Sequence, residues 1–312
     1  MKKSAIITLI VIVAIGAIYA LSRFSSTKVV IPEQPATPTI PETPTPPANP
    51  TGNEQQTEPE PTPEASYTTI TLSTDHPGKE LTDAIGQSHV AAVLALNRID
   101  DKHLWKGLTL TIPTDFIDWD YSFMPAHIAA AESIPKLVLI SQRVQSFGFY
   151  ENGKLILSGP VSTGKQSTLT PSRLYFTNWK GKEVVSTFSD EWILKWNFNI
   201  DNFEGIGLHH YALPGYPASH SCVRFYESDA EFLYNWADQW VLANDGQTKL
   251  ASGTPVIIFG AYNFSKSAPW KQLPNNAKAT TLSQDELETL VESNLTAIQK
   301  ESTLRAQVLG QS

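Results

Sequence analysis

The sequence predicts a mainly β protein with helices, an α+β architecture, and three stretches carry that expectation. KLVLISQRVQSFGFYENGKLILSGPVST at 136–163 alternates apolar and polar positions on both sides of Glu151-Asn152-Gly153, the pattern of two strands joined by a tight turn. GTPVIIFGAY at 253–262 is a short continuous apolar run of the kind that fills a buried strand. Between them, ESDAEFLYNWADQWVLAN at 227–244 places Phe232, Leu233, Trp236 and Trp240 on one helical face.

The chain reads as six segments. After Lys2 and Lys3 comes AIITLIVIVAIGAIYAL at 5–21, an uncharged run long enough to span a bilayer, followed by Arg23 and Lys28. The basic flank keeps the N-terminus in the cytoplasm and sends the rest outward. Residues 1–28 are therefore expected to be a membrane anchor, or a signal segment cleaved near Ala14-Ile15-Gly16. Either way the body is exported to the cell envelope, in the periplasm or on the outer face of the inner membrane. Residues 29–66 are rich in proline, threonine and glutamate and cannot bury enough surface to order themselves. Such a stalk extends by about 3.1 Å per residue, on the order of 100 Å in all.

Residues 67–113 read as a βααβ module. Tyr67 to Leu72 and Gly107 to Pro113 alternate as strands, and Glu80 to Ile85 and His89 to Asn97 have helical spacing. A linker at 114–135 leads to the main domain at 136–262, in which Trp192, Trp196, Phe198 and Ile200 mark a further strand. The tail at 263–312 carries a helix predicted over 283–309, outside that domain, with Leu287, Leu290, Val291, Leu295, Ile298 and Leu304 as its apolar stripe.

The chemistry concentrates around one residue. Cys222 is the only cysteine in 312 residues, so it has no partner within its own chain. A thiolate nucleophile needs a histidine in hydrogen-bond reach and a third group to orient that ring. His209, His210 and His220 are all candidates, and sequence distance does not choose among them. His220 and Cys222, two apart, would share one side of an extended segment. No regular zinc spacing accompanies these residues, so neither metal nor cofactor is expected. The net charge of −8 includes the acidic stalk and gives no basis for binding nucleic acid.

LALNRIDDKHLWKGLTLTIP at 94–113 resembles a LysM domain, although TDHPGKELTDAIGQ at 74–87 lacks the common Gly-Asp-Thr-Leu signature. That resemblance implies contact with glycan strands of the wall; Trp105 is a sugar platform or a core residue. GIGLHHYALPGYPASHSCVRF at 205–225, together with SQRVQSFGFYENGKLILSGPVSTGKQSTLTPSRLYFTNW at 141–179, resembles the YkuD-type L,D-transpeptidase catalytic domain, over about 136–262. The resemblance implies a β-sandwich-like fold. It makes Cys222 the acyl-accepting nucleophile and His209 the base and acid, oriented by the backbone carbonyl of His210. His220 stands beside an oxyanion hole that includes the backbone N–H groups of Ser221 and Cys222. Ser219, Arg224, Tyr211 and Trp196 are the expected substrate contacts.

The implied reaction begins with attack on the carbonyl between stem residue three and D-alanine four of a peptidoglycan tetrapeptide. It passes through a thioester and ends on an amine, giving a 3→3 cross-link. Two alternatives stand beside it: a carboxypeptidase or wall-link hydrolase of the same fold, and a non-catalytic wall-binding protein. Ser221 occupies a position where the family pattern has glycine, which would strain a serine if the backbone there needs a positive φ.

Overall fold

A computed structural model describes residues 65–117, 119, 121–186 and 192–310. The expected anchor at 1–28 and nearly all of the stalk lie outside the described residues. Among the described residues no helix is long and apolar enough to cross a membrane.

The strand, helix, helix, strand order expected at 67–113 is present. Strand β1 (Tyr67–Thr71) is followed by helices α1 (Pro77–Ile85) and α2 (Gln87–Leu96), and β2 (Thr109–Pro113) returns antiparallel to β1. Pro77 opens α1, where its missing N–H has no intrahelical partner to lose. Leu72, Leu81, Val93, Leu94, Leu108 and Leu110 close a small core.

The main domain contributes strands β3 (Leu137–Ser141), β4 (Ser146–Glu151), β5 (Lys154–Pro160), β6 (Arg173–Phe176), β7 (Lys180–Val185), β8 (Ile193–Asp201), β9 (Ile206–His210) and β10 (Val223–Phe225). Helix α3 (Glu227–Trp236), strands β11 (Val241–Leu242), β12 (Lys249–Ala251) and β13 (Pro255–Phe259), and helices α4 (Pro269–Gln272) and α5 (Gln284–Val308) complete it. One sheet has the order β5-β4-β3-β13-β6 and the other β10-β9-β8-β7. Val138, Ile140, Phe147, Phe149 and Val256 from the first meet Phe198, Ile206, Leu208, Val223 and Phe225 from the second in one buried cluster. This is a sandwich core, closed at one side by Ala230 and Leu233 of α3.

The opposite face of the five-stranded sheet is also covered. Leu137, Leu139, Tyr150, Ile257 and Phe259 pack with Leu287, Val291 and Ile298 of α5. That explains why every residue of β3 and β13 is buried and neither strand shows an exposed face. Ser283 caps α5 by accepting from Glu286 N at 3.1 Å. Glu288 accepts from Ala129 N and Ala130 N at 2.8 and 2.7 Å, which docks the helix on the segment preceding β3. The tail helix thus forms a layer of the main domain.

Helix α3 stops at Trp236, short of the expected 244, and Trp240 lies beyond it. Asp238 is captured there: its N–H donates to Thr254 Oγ1 at 2.9 Å and its carbonyl accepts from Thr254 N at 3.2 Å. Tertiary hydrogen bonds override a helical pattern that local spacing alone would continue.

Candidate active site

Strand β10 runs parallel to β9, with Leu208 opposite Val223 and His209 opposite Arg224. Parallel neighbours cannot be joined by a tight hairpin, so residues 211–222 must cross over the sheet end. This crossover returns Cys222 level with Gly207, whose N–H reaches the Cys222 Sγ at 3.4 Å. The thiol lies 3.7 Å from the Gly205 carbonyl.

Cys222, His209, His220, Tyr211, Ser219 and Arg224 line a single cleft, joined by Ser186, Trp192 and Leu194. His209 is buried, and its Nδ1 lies 3.0 Å from the His210 carbonyl. A carbonyl only accepts, so Nδ1 carries the proton and Nε2 is left with a lone pair. Burial pushes the His209 pKa down to about 4, and the positive Arg224 pushes in the same direction, against the opposing pull of the His210 carbonyl. Burial raises the Cys222 thiol, while the Gly207 N–H and Arg224 draw it the other way. The resting pair at neutral pH is therefore imidazole and thiol rather than an imidazolium–thiolate ion pair.

His220 is held differently. Its Nε2 lies 3.0 Å from Lys165 Nζ, and an ammonium only donates, so Nε2 accepts. Desolvation, then the nearby Lys165 and Arg224 charges, lowers its pKa and keeps the ring neutral. With that lone pair committed to Lys165, His220 is poorly suited to take the thiol proton. The ring sits against Trp192, centroids 5.4 Å apart.

The backbone turns sharply before the cysteine. Ser221 has φ +79, the left-handed conformation that a side chain disfavours, so 220–222 is not extended. Its carbonyl accepts from Thr170 Oγ1 at 2.8 Å, which fixes the turn from the neighbouring loop. Thr168 Oγ1 and Lys165 N both donate to the Ser219 carbonyl at 3.0 Å. Gly164 allows this approach, because a Cβ there would stand 2.2 Å from the Thr168 carbonyl. The backbone N–H groups of Ser221 and Cys222 find no acceptor among the described residues.

The remaining expected residues divide. Ser219 is buried and its hydroxyl donates to the Cys222 carbonyl, which holds the loop. Arg224 lies over the Tyr211 ring at 4.7 Å, with Nη1 3.4 Å from the Ala212 carbonyl. Trp196 does not line the cleft; it packs edge-on to Tyr234, centroids 5.5 Å apart, with Lys182 above it. A bulge explains this: Lys195 pairs with His210 but Phe198 with Leu208, so β8 carries one extra residue and its facing reverses. Trp192 and Leu194, before the bulge, face the cleft instead. Alternation from Trp192 to Trp196 hides the bulge in the sequence; in the structure the slipped pairing and the φ of +54 at Trp196 both mark it. Lys165 was also missed, although it directly follows the Ser-Thr-Gly turn at 162–164.

Among the described residues no group of three or more His, Cys, Asp or Glu side chains converges as a metal site. Residues 135–258 match the family model of the YkuD L,D-transpeptidase catalytic domain. Similar solved structures include an L,D-transpeptidase from Stackebrandtia nassauensis, 23% identical, covering 48% of this chain and 62% of that one, TM-score 0.34. The catalytic domain of an E. faecium L,D-transpeptidase is 20% identical, covering 40% of this chain and 96% of that one, TM-score 0.30. L,D-transpeptidase 1 of Mycobacterium tuberculosis is 15% identical, covering 50% and 68%, TM-score 0.31. The chain spans less than two thirds of the length of the first of these. A search of curated proteins gives no match. The match to the YkuD L,D-transpeptidase catalytic domain model is confined to residues 135–258, less than half of the chain.

Proposed function

We propose that the chain is a cysteine-dependent L,D-transpeptidase that joins peptidoglycan stems by 3→3 cross-links. The observation that carries this is the shared cleft of Cys222 and a buried His209 whose Nε2 is unprotonated. His209 takes the thiol proton as Sγ attacks the carbonyl before D-alanine four. It then returns that proton to the departing D-alanine amine, leaving a thioester on Cys222. An amine of a second stem attacks the thioester, gives up its proton to His209, and the thiol is restored. The N–H groups of Ser221 and Cys222 are available to the oxyanion in both halves, at about 2.7–4 kcal/mol per donor. Arg224, positively charged at the cleft wall, suits a substrate carboxylate.

The segment at 67–113, with its βααβ order, supports a LysM-like contact with glycan. The apolar run at 5–21 supports export and anchoring in the envelope.

The test incubates the full chain, wild type and Cys222→Ala, with disaccharide-tetrapeptides and follows products by mass spectrometry. Cysteine-dependent dimers lacking one D-alanine are expected. Tripeptide monomers with free D-alanine would make the enzyme a carboxypeptidase, and identical products from both proteins would refute an acyl-enzyme on Cys222.

A further inference from the structure

The βααβ module is tied directly to the crossover that carries the active cysteine. Asp100 N donates to the Leu213 carbonyl at 2.9 Å, and Leu213 N donates back to Asp100 Oδ2 at 2.8 Å. Gly215 N donates to the Arg98 carbonyl at 3.0 Å, and Ile99 pairs with Pro214 as an antiparallel bridge between them. Gly215 has φ +88, and a Cβ built there would come within 3.5 Å of the Asn97 carbonyl. Just past β10, the Tyr226 hydroxyl donates to the Ile99 carbonyl at 2.6 Å. Three consecutive module residues thus hold the crossover near its middle and also the exit of β10.

The module side of this clamp is itself fixed. Arg98 is 1% exposed, and its Nε and Nη2 donate to the Val144 carbonyl and the Tyr121 hydroxyl at 3.0 and 2.9 Å. Its guanidinium lies 4.8 Å from the Trp270 ring and 4.9 Å from the Phe123 ring. A buried charge satisfied by carbonyls, a hydroxyl and ring faces tolerates little displacement. Asp100 is equally committed, since Oδ1 accepts from Lys102 N at 3.0 Å and faces His103 Nδ1.

We propose that Asp100 and Arg98 are positioning residues for the Cys222 site. By fixing Leu213 and Gly215 they set the crossover whose two ends carry the His210 carbonyl and the Ser221–Cys222 turn. The module is on this view a structural part of the active site and not only a tethered wall-binding unit. The kinetic half of the proposal rests on the transpeptidase reading above; the geometric half does not.

Cys222 is the sole cysteine, so alkylation of the full chain by iodoacetamide reports that thiol alone. Asp100→Ala is expected to change the pH profile of alkylation and to lower kcat by about 10- to 100-fold with KM little altered. Asp100→Asn keeps one acceptor oxygen and should recover most of both. Leu81→Ala, in the module core away from the clamp, should lower the melting temperature and leave both readouts near wild type. Wild-type alkylation and kcat in Asp100→Ala would overturn the proposal, as would equal changes in Leu81→Ala. If the wild type turned over no stem peptide while Asp100→Ala still altered alkylation, the transpeptidase reading would fail and the positioning role would stand.

Discussion

The two sheets of the main domain are built under different rules. In the five-stranded sheet, β3, β13 and β6 pair without a break in register, a slip is confined to the β4–β5 edge pair, and both faces are covered by apolar side chains. In the four-stranded sheet, β8 slips twice against β9, Trp196 has a positive φ, and the β9–β10 pair is parallel across an irregular crossover. Regular pairing maximises burial, whereas slips and left-handed residues aim particular groups into a cleft at a cost of about 1–3 kcal/mol each. Both sheets share the sandwich core, and the irregular one also carries the candidate site.

Substitutions in the two sheets should therefore separate activity from stability. The largest effect is expected from His209→Gln, which should lower kcat by about 10²–10⁴-fold in stem-peptide turnover. Leu287→Ala, on the helix that covers the five-stranded sheet, should cost about 2–5 kcal/mol in chemical denaturation. Its kcat, measured well below the melting temperature, should remain near wild type. Equal losses of activity in these two variants would erase the distinction.

A third experiment uses pH. The native His209 value near 4 lies below the usual 6.5, so as pH falls through this interval the unfolded chain binds a proton that the native one refuses. His209 therefore removes about 3 kcal/mol of stability between pH 6.5 and 4 and nothing above pH 7. Burial raises Asp229 to about 6, which acts with the opposite sign across the same window. Comparing the wild type with His209→Gln by denaturation across pH 4 to 7.5 isolates the histidine's share. The acid limb of kcat/KM should correspondingly fall near pH 4 and not near 6.5. The smallest effect is expected at Ser221. Exchange to glycine should relieve the strain at φ +79 and, after the extra entropy of glycine in the unfolded chain, stabilise by about 0.5–1 kcal/mol.

The same division governs what the sequence disclosed. The hairpin at 136–163, the buried run at 253–262 and the helix predicted over 283–309 were legible because packing and period coincide there. The cluster of Cys222 with three histidines was also visible; spacing did not divide their roles, the resemblance set His209 against the His210 carbonyl, and only the contact of Lys165 with His220 was not foreseen. Trp196 misled because a bulge changes the facing of β8 without changing its composition. The contact of Asp100 with Leu213 joins residues 113 positions apart, and no local pattern announces it.

The position of β13 has a consequence for synthesis. Residues 255–259 form the strand that joins β3 to β6, and α5, which seals the sheet's outer face, comes later still. The early strands therefore wait for partners made much later in the chain, which gives a high contact order and a slow closing step. During that interval β3 and β6 carry open edges, and the cysteine has been made before the sheet that packs against its own is closed. The core that backs the cysteine's sheet is therefore completed only once β13 has been made, because Val256 and Ile258 are part of it.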